Sequence, residues 1–390
     1  MNTSNTLVVA IAAASVLTSA HTYADSSDEA SSLREAIQQG TVSGAFQGYY
    51  FARDKASGKD NEIATLGFDL SYQTATLNGF GFKSTFQYTI SPWANNEAKS
   101  ARRSNMYGSG AQLSEAYLSY GVNKTQAQLG RMYFWSPLLG GSGSRVTKEA
   151  FQGVTLVNKD LSNTTLTFAY MDKFQSRTDG NGDIGKFTET FKTAGAPWAF
   201  ELDDGAYTLA IKNASFDNLT LTAAYVNALD AFETAYFESA YSIGHFGVAA
   251  QYYTSQQDSE QRSDLFGIKG DATFGPLNLT LAYTTTDDDA DVIPGVGNGA
   301  DLAYTWSEVF AYQYQAGQDS TKLAAKYKID SNAYVGASYL LEDGKGYDRA
   351  YTALTGGYQF SDAFSVTAAF EMGSKDAKDD ELRVRANYTF

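Results

Sequence analysis

Leu66, Phe68, Leu70 and Tyr72 alternate with Gly67, Asp69, Ser71 and Gln73, and the same two-residue period recurs down the chain. Phe80, Phe82, Phe86 and Tyr88 oppose Lys83, Thr85 and Gln87. Leu166, Phe168 and Tyr170 oppose Thr165, Thr167 and Ala169, while Phe364, Val366, Ala368 and Phe370 oppose Ser365, Thr367 and Glu371. Side chains on a strand point alternately to its two faces, so each segment predicts a strand with one apolar and one polar face. Helical periodicity is nearly absent.

The joins between these segments are of two kinds. Tight ones rich in Asn, Asp and Gly stand at 77–79, 122–124, 159–163, 216–218, 243–245, 274–276, 329–332 and 360–362. Long polar inserts stand at 91–110, 135–149, 174–204, 255–262, 286–303 and 342–349. Short turns on one rim and long loops on the other are the arrangement of an outer-membrane barrel. A strand of about ten residues rises roughly 33 Å and, tilted by about 40°, covers roughly 25 Å of apolar height. Nineteen strand-like segments can be counted, and bacterial barrels have even strand numbers. The weakest, 304–315, has aromatics on both faces and no tight join after it, so it is assigned to an extended loop over 286–318. Eighteen strands remain. A soluble sandwich array or propeller would share the alternation, but no repeat of fixed period is present. The aromatic clusters "GYYF", "MYFW" and "QYY" at segment ends fit interfacial girdles.

Composition sharpens this picture. Tyr 27 and Phe 24 stand against Pro 5 and Cys 0 in 390 residues, a usage that suits pleated sheet. The net charge of -15 argues against nucleic acid, whose recognition needs a basic footprint. It does not argue against a membrane, since barrel strands need no long apolar run. The start of the chain has an apolar stretch from Leu7 to Leu17 and a small-residue close at Thr22-Tyr23-Ala24, which reads as a cleaved signal peptide over 1–24. A periplasmic segment, 25–40, and a barrel domain, 41–390, follow. His245 is the one histidine left after that cleavage, with no acid or serine placed to complete a triad, so no enzyme is expected. No cofactor and no metal are expected either.

Alternation also assigns the bore. In the closing segment "ELRVRANYTF", Leu382, Val384, Ala386, Tyr388 and Phe390 are expected to face lipid. Glu381, Arg383, Arg385, Asn387 and Thr389 are expected to face water. Lys322, Lys326 and Lys328 lie opposite Leu323, Ala325, Tyr327 and Ile329, so they too point inward. Together with Arg383 and Arg385 they form a cationic wall suited to carboxylate or phosphate groups; charges that merely keep a wide bore wet are the simpler alternative.

The stretch "LGRMYFWSPLLGGSGSRVTKEAFQGV" (129–154) runs from a strand into a Pro/Gly/Ser-rich loop and back into a strand. Gly130-Arg131, Ser136-Pro137-Leu138, Ser144-Arg145 and Phe151-Gln152-Gly153 occur in the order seen in the OprD-like family of outer-membrane porins, which the chain resembles. Residues 31–54 and 316–330 also look like the family's corresponding stretches. The resemblance implies an 18-stranded barrel narrowed by its third and seventh loops, passing small carboxylates or amino acids along a basic row. It places Arg145 and Lys148 near the constriction. Arg131 belongs there by resemblance, although alternation puts it on the lipid side with Leu129 unless a bulge turns it inward. The terminal Phe390 is similar to the signal that such barrels present to their assembly machinery.

Two acidic stretches complete the reading. Asp287, Asp288, Asp289 and Asp291 either fold inward, favouring cations, or form a solvated run. Asp179, Asn181 and Asp183 have calcium-loop spacing, but Ile184 stands where Gly is expected and Thr190 where Glu is expected, so a plain turn is the competing reading. The expectation is an all-β transmembrane antiparallel barrel with short periplasmic turns and long extracellular loops, in the outer membrane of a Gram-negative bacterium. Its partners are outer-membrane lipids, small hydrophilic solutes and the assembly machinery, with a homo-oligomer left open. Its function is passive diffusion, with carboxylates or amino acids favoured; a weakly cation-preferring porin and a non-conducting structural or adhesion barrel are the alternatives.

Overall fold

The structure, a computed structural model, describes residues 29–193, 199–257, 261–309 and 312–390. The expected signal peptide lies outside the described residues. Eighteen antiparallel strands form the wall among the described residues. They are β1 (Thr41–Asp54), β2 (Asn61–Gln73), β3 (Phe80–Ala94), β4 (Gly110–Val122), β5 (Thr125–Met132) and β6 (Ala150–Asn158). Next come β7 (Thr164–Gln175), β8 (Ala206–Phe216), β9 (Leu219–Ala228), β10 (Phe232–Ile243), β11 (Phe246–Gln257) and β12 (Arg262–Phe274). Last are β13 (Leu277–Thr286), β14 (Asp319–Lys328), β15 (Ala333–Gly344), β16 (Tyr347–Gln359), β17 (Phe364–Lys375) and β18 (Asp380–Thr389). Each pairs with its neighbour in sequence, and β1 pairs with β18 from Ala45 opposite Thr389 to Asp54 opposite Asp380, which closes the sheet and removes its edges. No described helix is long and apolar enough to cross a membrane; the strands can, because closure satisfies every ladder hydrogen bond.

All eight tight joins fall between strands on one rim, and the described residues of the segment 304–315 are loop, as the strand count required. The inserts expected at 255–262 and 342–349 are shorter than read, because β11, β12, β15 and β16 continue up the wall into polar sequence. The third loop (133–149), fourth loop (176–205) and seventh loop (287–318) are long. The fourth contains a small hairpin of Thr190–Lys192 with Ala199–Glu201.

Outward faces carry the apolar residues that alternation assigned to them: Leu129, Leu281, Leu323 and Phe80 are more than half exposed on the outer wall. The aromatic clusters divide between the two faces. Tyr50 stacks on Trp93 outside at 6.5 Å, but Tyr49 and Phe51 point inward, and of the pair Tyr252 and Tyr253 only Tyr252 is exposed. The reason is that the bore is not uniformly wet. Met132, Leu138, Leu139, Phe151, Met171, Phe174, Val226, Tyr253, Leu265, Val292, Val296 and Tyr314 form one buried cluster, in which the infolded loops pack on the inner side of β4–β12. Each fully buried Leu or Phe contributes roughly 1.5–3 kcal/mol to holding those loops against the wall. A polar half of the bore, along β14–β18 and β1–β3, is left open to charge.

At the short-turn rim, α1 (Leu33–Gln38) begins at Ser32, whose hydroxyl caps Glu35 while the Glu35 carboxylate accepts from the Ser31 amide at 2.8 Å. The segment before it hydrogen-bonds the β2–β3 turn, Ala30 N to Thr76 O at 2.8 Å, so it lies beside the barrel mouth.

Candidate functional site: the narrowing of the bore

The third and seventh loops meet across the interior as a short parallel bridge. Leu139 pairs with Val296; the Gly140 amide donates to Val296 O at 2.9 Å, the Val296 amide to Leu138 O at 2.9 Å, and the Gly299 amide to Gly140 O at 2.8 Å. Trp135 Nε1 donates to Gly299 O at 2.9 Å. The contact depends on glycine: a Cβ on Gly297, which has φ +82°, would lie 2.3 Å from Gly140 O. The fourth loop joins through Gly297 N to Lys192 O at 2.6 Å. Below, Gly67 on β2 leaves room for Val146, since a Cβ there would lie 2.1 Å from Val146 Cγ1.

Arginines crowd the polar side of this narrowing. Arg383 Nε binds Glu381 Oε1 at 2.6 Å, and its two Nη atoms donate to Glu308 O at 3.0 Å and Val309 O at 3.3 Å. Arg385 donates to Ser144 O. Arg53 binds Glu381 Oε2 at 2.5 Å, with Arg102 3.5 Å from the same atom and stacked 4.0 Å above the Phe51 ring. Arg145 donates to Ser144 O at 3.2 Å and lies 5.8 Å from the Tyr49 ring, which Arg385 approaches to 5.1 Å. Arg177 binds Asn105 Oδ1 at 2.8 Å and Ser144 Oγ at 3.1 Å. Six guanidinium groups thus share two carboxylates, Glu381 and Glu149; other donors rest on uncharged carbonyl and hydroxyl oxygens, and the buried Nε atoms of Arg102, Arg145 and Arg177 make no hydrogen bond.

The other residues picked from sequence divide. Lys148 enters the interior and binds Asp69 Oδ2 at 2.7 Å. Lys322 points inward but is 7% exposed, donating to Trp306 O at 2.7 Å beneath the Trp306 ring, so the seventh loop covers it. Lys326 stands 4.0 Å from the Tyr334 ring, and Lys328 is exposed towards the short-turn mouth. The contacts of Arg131 correct its expected place in the constriction. It pairs with Ala116 and Gln152 on the outward face, donates to Gln152 Oε1 at 3.3 Å and lies over the Phe187 ring at 4.5 Å. The nearby register shift falls in β7, where Asp172 is skipped between the partners of Gln152 and Gly153, and does not turn Arg131 inward. His245 sits in the β10–β11 turn, with its ring 6.3 Å from that of Phe274.

The acidic run stays at the base of the seventh loop. Asp287 accepts from Ser263 Oγ at 3.1 Å and the Asp264 amide at 2.8 Å, Asp291 from the Ala316 amide at 2.8 Å, and Asp288 faces Lys345 at 3.5 Å. Asp179 Oδ1 accepts three amides, from Asn181, Gly182 and Asp183, at 2.7, 3.1 and 3.1 Å, which uses the carboxylate to close a turn. No three His, Cys, Asp or Glu side chains converge as metal ligands among the described residues.

Sequence reading missed Arg53, Arg102, Arg177, Tyr49 and Glu149. Arg53 was within reach, since it shares a face with Phe51 and Tyr49, two and four residues earlier. Arg102 and Arg177 lie in loops, where no period points to a side.

Comparisons agree with this architecture. The family model described as outer membrane porin, OprD family, matches residues 34–390. Comparison with curated protein sequences gives no match. Among solved structures, Acinetobacter baumannii OccAB2 is similar with TM-score 0.78 at 17% identity, over 91% of this chain and 99% of that one. Pseudomonas aeruginosa OccK9 (OpdG) gives TM-score 0.78 at 16% identity, over 91% and 99%, and Pseudomonas aeruginosa OccK3 (OpdO) 0.76 at 14%, over 92% and 97%. With a closed 18-stranded wall, an infolded third loop and a family match running to the last residue, the chain belongs to the OprD family of outer-membrane porins, channels for small solutes in the outer membrane of Gram-negative bacteria.

Proposed function

We propose that the channel passes small hydrophilic solutes, carboxylates or amino acids foremost, by passive diffusion through the arginine-lined side of the narrowing. The observation that carries this reading is the excess of six guanidinium groups over the two carboxylates they bind, beside the contact of the third and seventh loops. Fixed cations in a narrow, low-dielectric passage lower the barrier for an anion and raise it for a cation. Arg145, Arg383 and Arg385 form the middle of the path, Lys148 flanks it, and Lys326 and Lys328 continue it to the short-turn mouth. Lys322 serves to seat the seventh loop. The planar guanidinium fork matches a carboxylate in two hydrogen bonds, so a solute can be handed from one arginine to the next. Residues 1–24 act as the export signal, 25–40 as a periplasmic segment, and Phe390 as the handle for barrel assembly.

Reversal potential under a salt gradient in planar bilayers tests the sign. Anion preference in the native channel, moved towards cations by Arg383→Glu with Arg385→Glu, supports the reading. Cation preference in the native channel sinks it, and a folded barrel with no conductance favours a structural role.

A further inference from the structure

We propose that Glu149 sets the width of the narrowing by holding the third, fourth and seventh loops at a fixed spacing; the inference rests on the channel reading. Glu149 is fully buried, at 0% exposure, and does not line the path. Its Oε2 accepts the Ser142 amide of its own loop at 2.9 Å and the Asn298 amide of the seventh loop at 3.1 Å. Its Oε1 accepts the Asn298 side-chain amide and stands 3.7 Å from Arg177 Nε of the fourth loop. Three loops therefore converge on one carboxylate.

A buried charge is stable only while its partners remain, and its removal strands every donor that pointed at it. The neighbouring backbones are already in closest contact: a Cβ on Gly299 would lie 2.5 Å from Gly141 O, and one on Gly295 2.3 Å from Leu138 O. Leu138, Leu139, Phe191, Val292 and Val296 draw the three loops into the apolar cluster without fixing direction, so their exact spacing depends on the glycine contacts and on this latch. Because the cross-section of a pore grows as the square of its radius, a small retreat of either loop changes what fits.

The experiment uses the full chain in planar bilayers, with liposome swelling in uncharged sugars of graded size. Glu149→Ala is expected to raise single-channel conductance about twofold and to admit larger sugars, since current through a constriction follows its area; the sign of ion selectivity stays as in the native channel. Asn298→Ala acts in the same direction more weakly, because its backbone amide still binds Glu149. Leu139→Cys with Val296→Cys, added to Glu149→Ala, provides the rescue. These residues are bridge partners in a chain with no native cysteine, and strands about 4.8 Å apart lie within the Cα separation that a disulfide spans. Oxidation is expected to restore native conductance and reduction to release it again, which a merely destabilised barrel would not do. Native conductance and size limit in both Glu149→Ala and Asn298→Ala overturn the proposal, as does a change that oxidation fails to reverse. If Glu149→Ala does not reach the folded form by heat-modifiable gel mobility, Asn298→Ala with and without the cysteine pair decides by the same criteria. Native channels with unaltered variants sink the latch alone; a native chain without channels sinks the channel reading and the latch with it.

Discussion

Arg383 and Arg385 are two residues apart and share one face, yet they sit differently. Arg383 is shared between the Glu381 carboxylate and two seventh-loop carbonyls, whereas Arg385 rests on a third-loop carbonyl. A charge about 8 Å from the solute path contributes on the order of 0.5–2 kcal/mol, depending on local dielectric. Turning both arginines into glutamates alters the fixed charge by four, so even at the lower figure each ion's barrier moves by about 2 kcal/mol and the anion-to-cation permeability ratio should fall by more than about thirtyfold. The lysines offer a finer contrast. Lys326→Glu should move the reversal potential towards cations. Lys322→Met should leave it near the native value and increase current noise instead, because the Trp306 carbonyl loses its donor and the seventh loop its tether. Equal shifts from the two variants would place Lys322 in contact with solutes after all.

At the scale of elements, each strand has one task and each long loop another. Strands separate lipid from the interior by alternation, and loops refill half of that interior with an apolar cluster. The fourth loop shows how a local turn is held. Burial pushes the Asp179 carboxyl up, but the amides of Asn181, Asp183 and Gly182 outweigh it and hold the group below its ordinary aspartate range. A depressed folded pKa means that the stabilisation of this turn is present at neutral pH and is lost as pH falls through the folded value. Hydrogen exchange of the 181–183 amides, corrected for intrinsic rate, should show constant protection from pH 7 to about 5 and loss of protection below the ordinary aspartate range. Asp179→Asn should lose part of that protection at pH 7. Unchanged protection in acid would mean that the turn is held by its bridges to Ser109 and Thr178 instead.

For the molecule as a whole, closure is the decisive event, and the last residue takes part in it. Phe390 exchanges both backbone hydrogen bonds with Gly44, at 3.0 and 3.1 Å, and its ring lies 5.8 Å from Phe46 and 6.4 Å from Phe68. Two aromatic pairs are worth about 1–3 kcal/mol together. Phe390→Ala should therefore lower barrel stability in detergent by about that amount, read from urea unfolding of the heat-modifiable form. If the level of folded barrel in cells falls far more steeply than this loss accounts for, Phe390 is also being read during assembly. A parallel fall in both measurements would leave it as seam packing alone.

The closed antiparallel sheet, the two kinds of rim and the inward direction of Lys326, Lys328, Arg383 and Arg385 were legible from the chain alone, because a two-residue period admits one answer once the apolar face is known to meet lipid. Alternation even placed Arg131 outside, where its contacts put it; the family resemblance drew it inward. What the period could not decide was which part of the interior meets water, and so Phe151, Phe174, Val226 and Leu265 interrupt the rule that inward means polar. That depends on long loops returning into the barrel, and the contacts that hold them join residues as far apart as Glu149 and Asn298, or Ser144 and Arg385. Local sequence carries no signal for such pairs. Only the closed wall brings them within reach, and that tertiary step set the narrowing, its arginine side and the latch behind it.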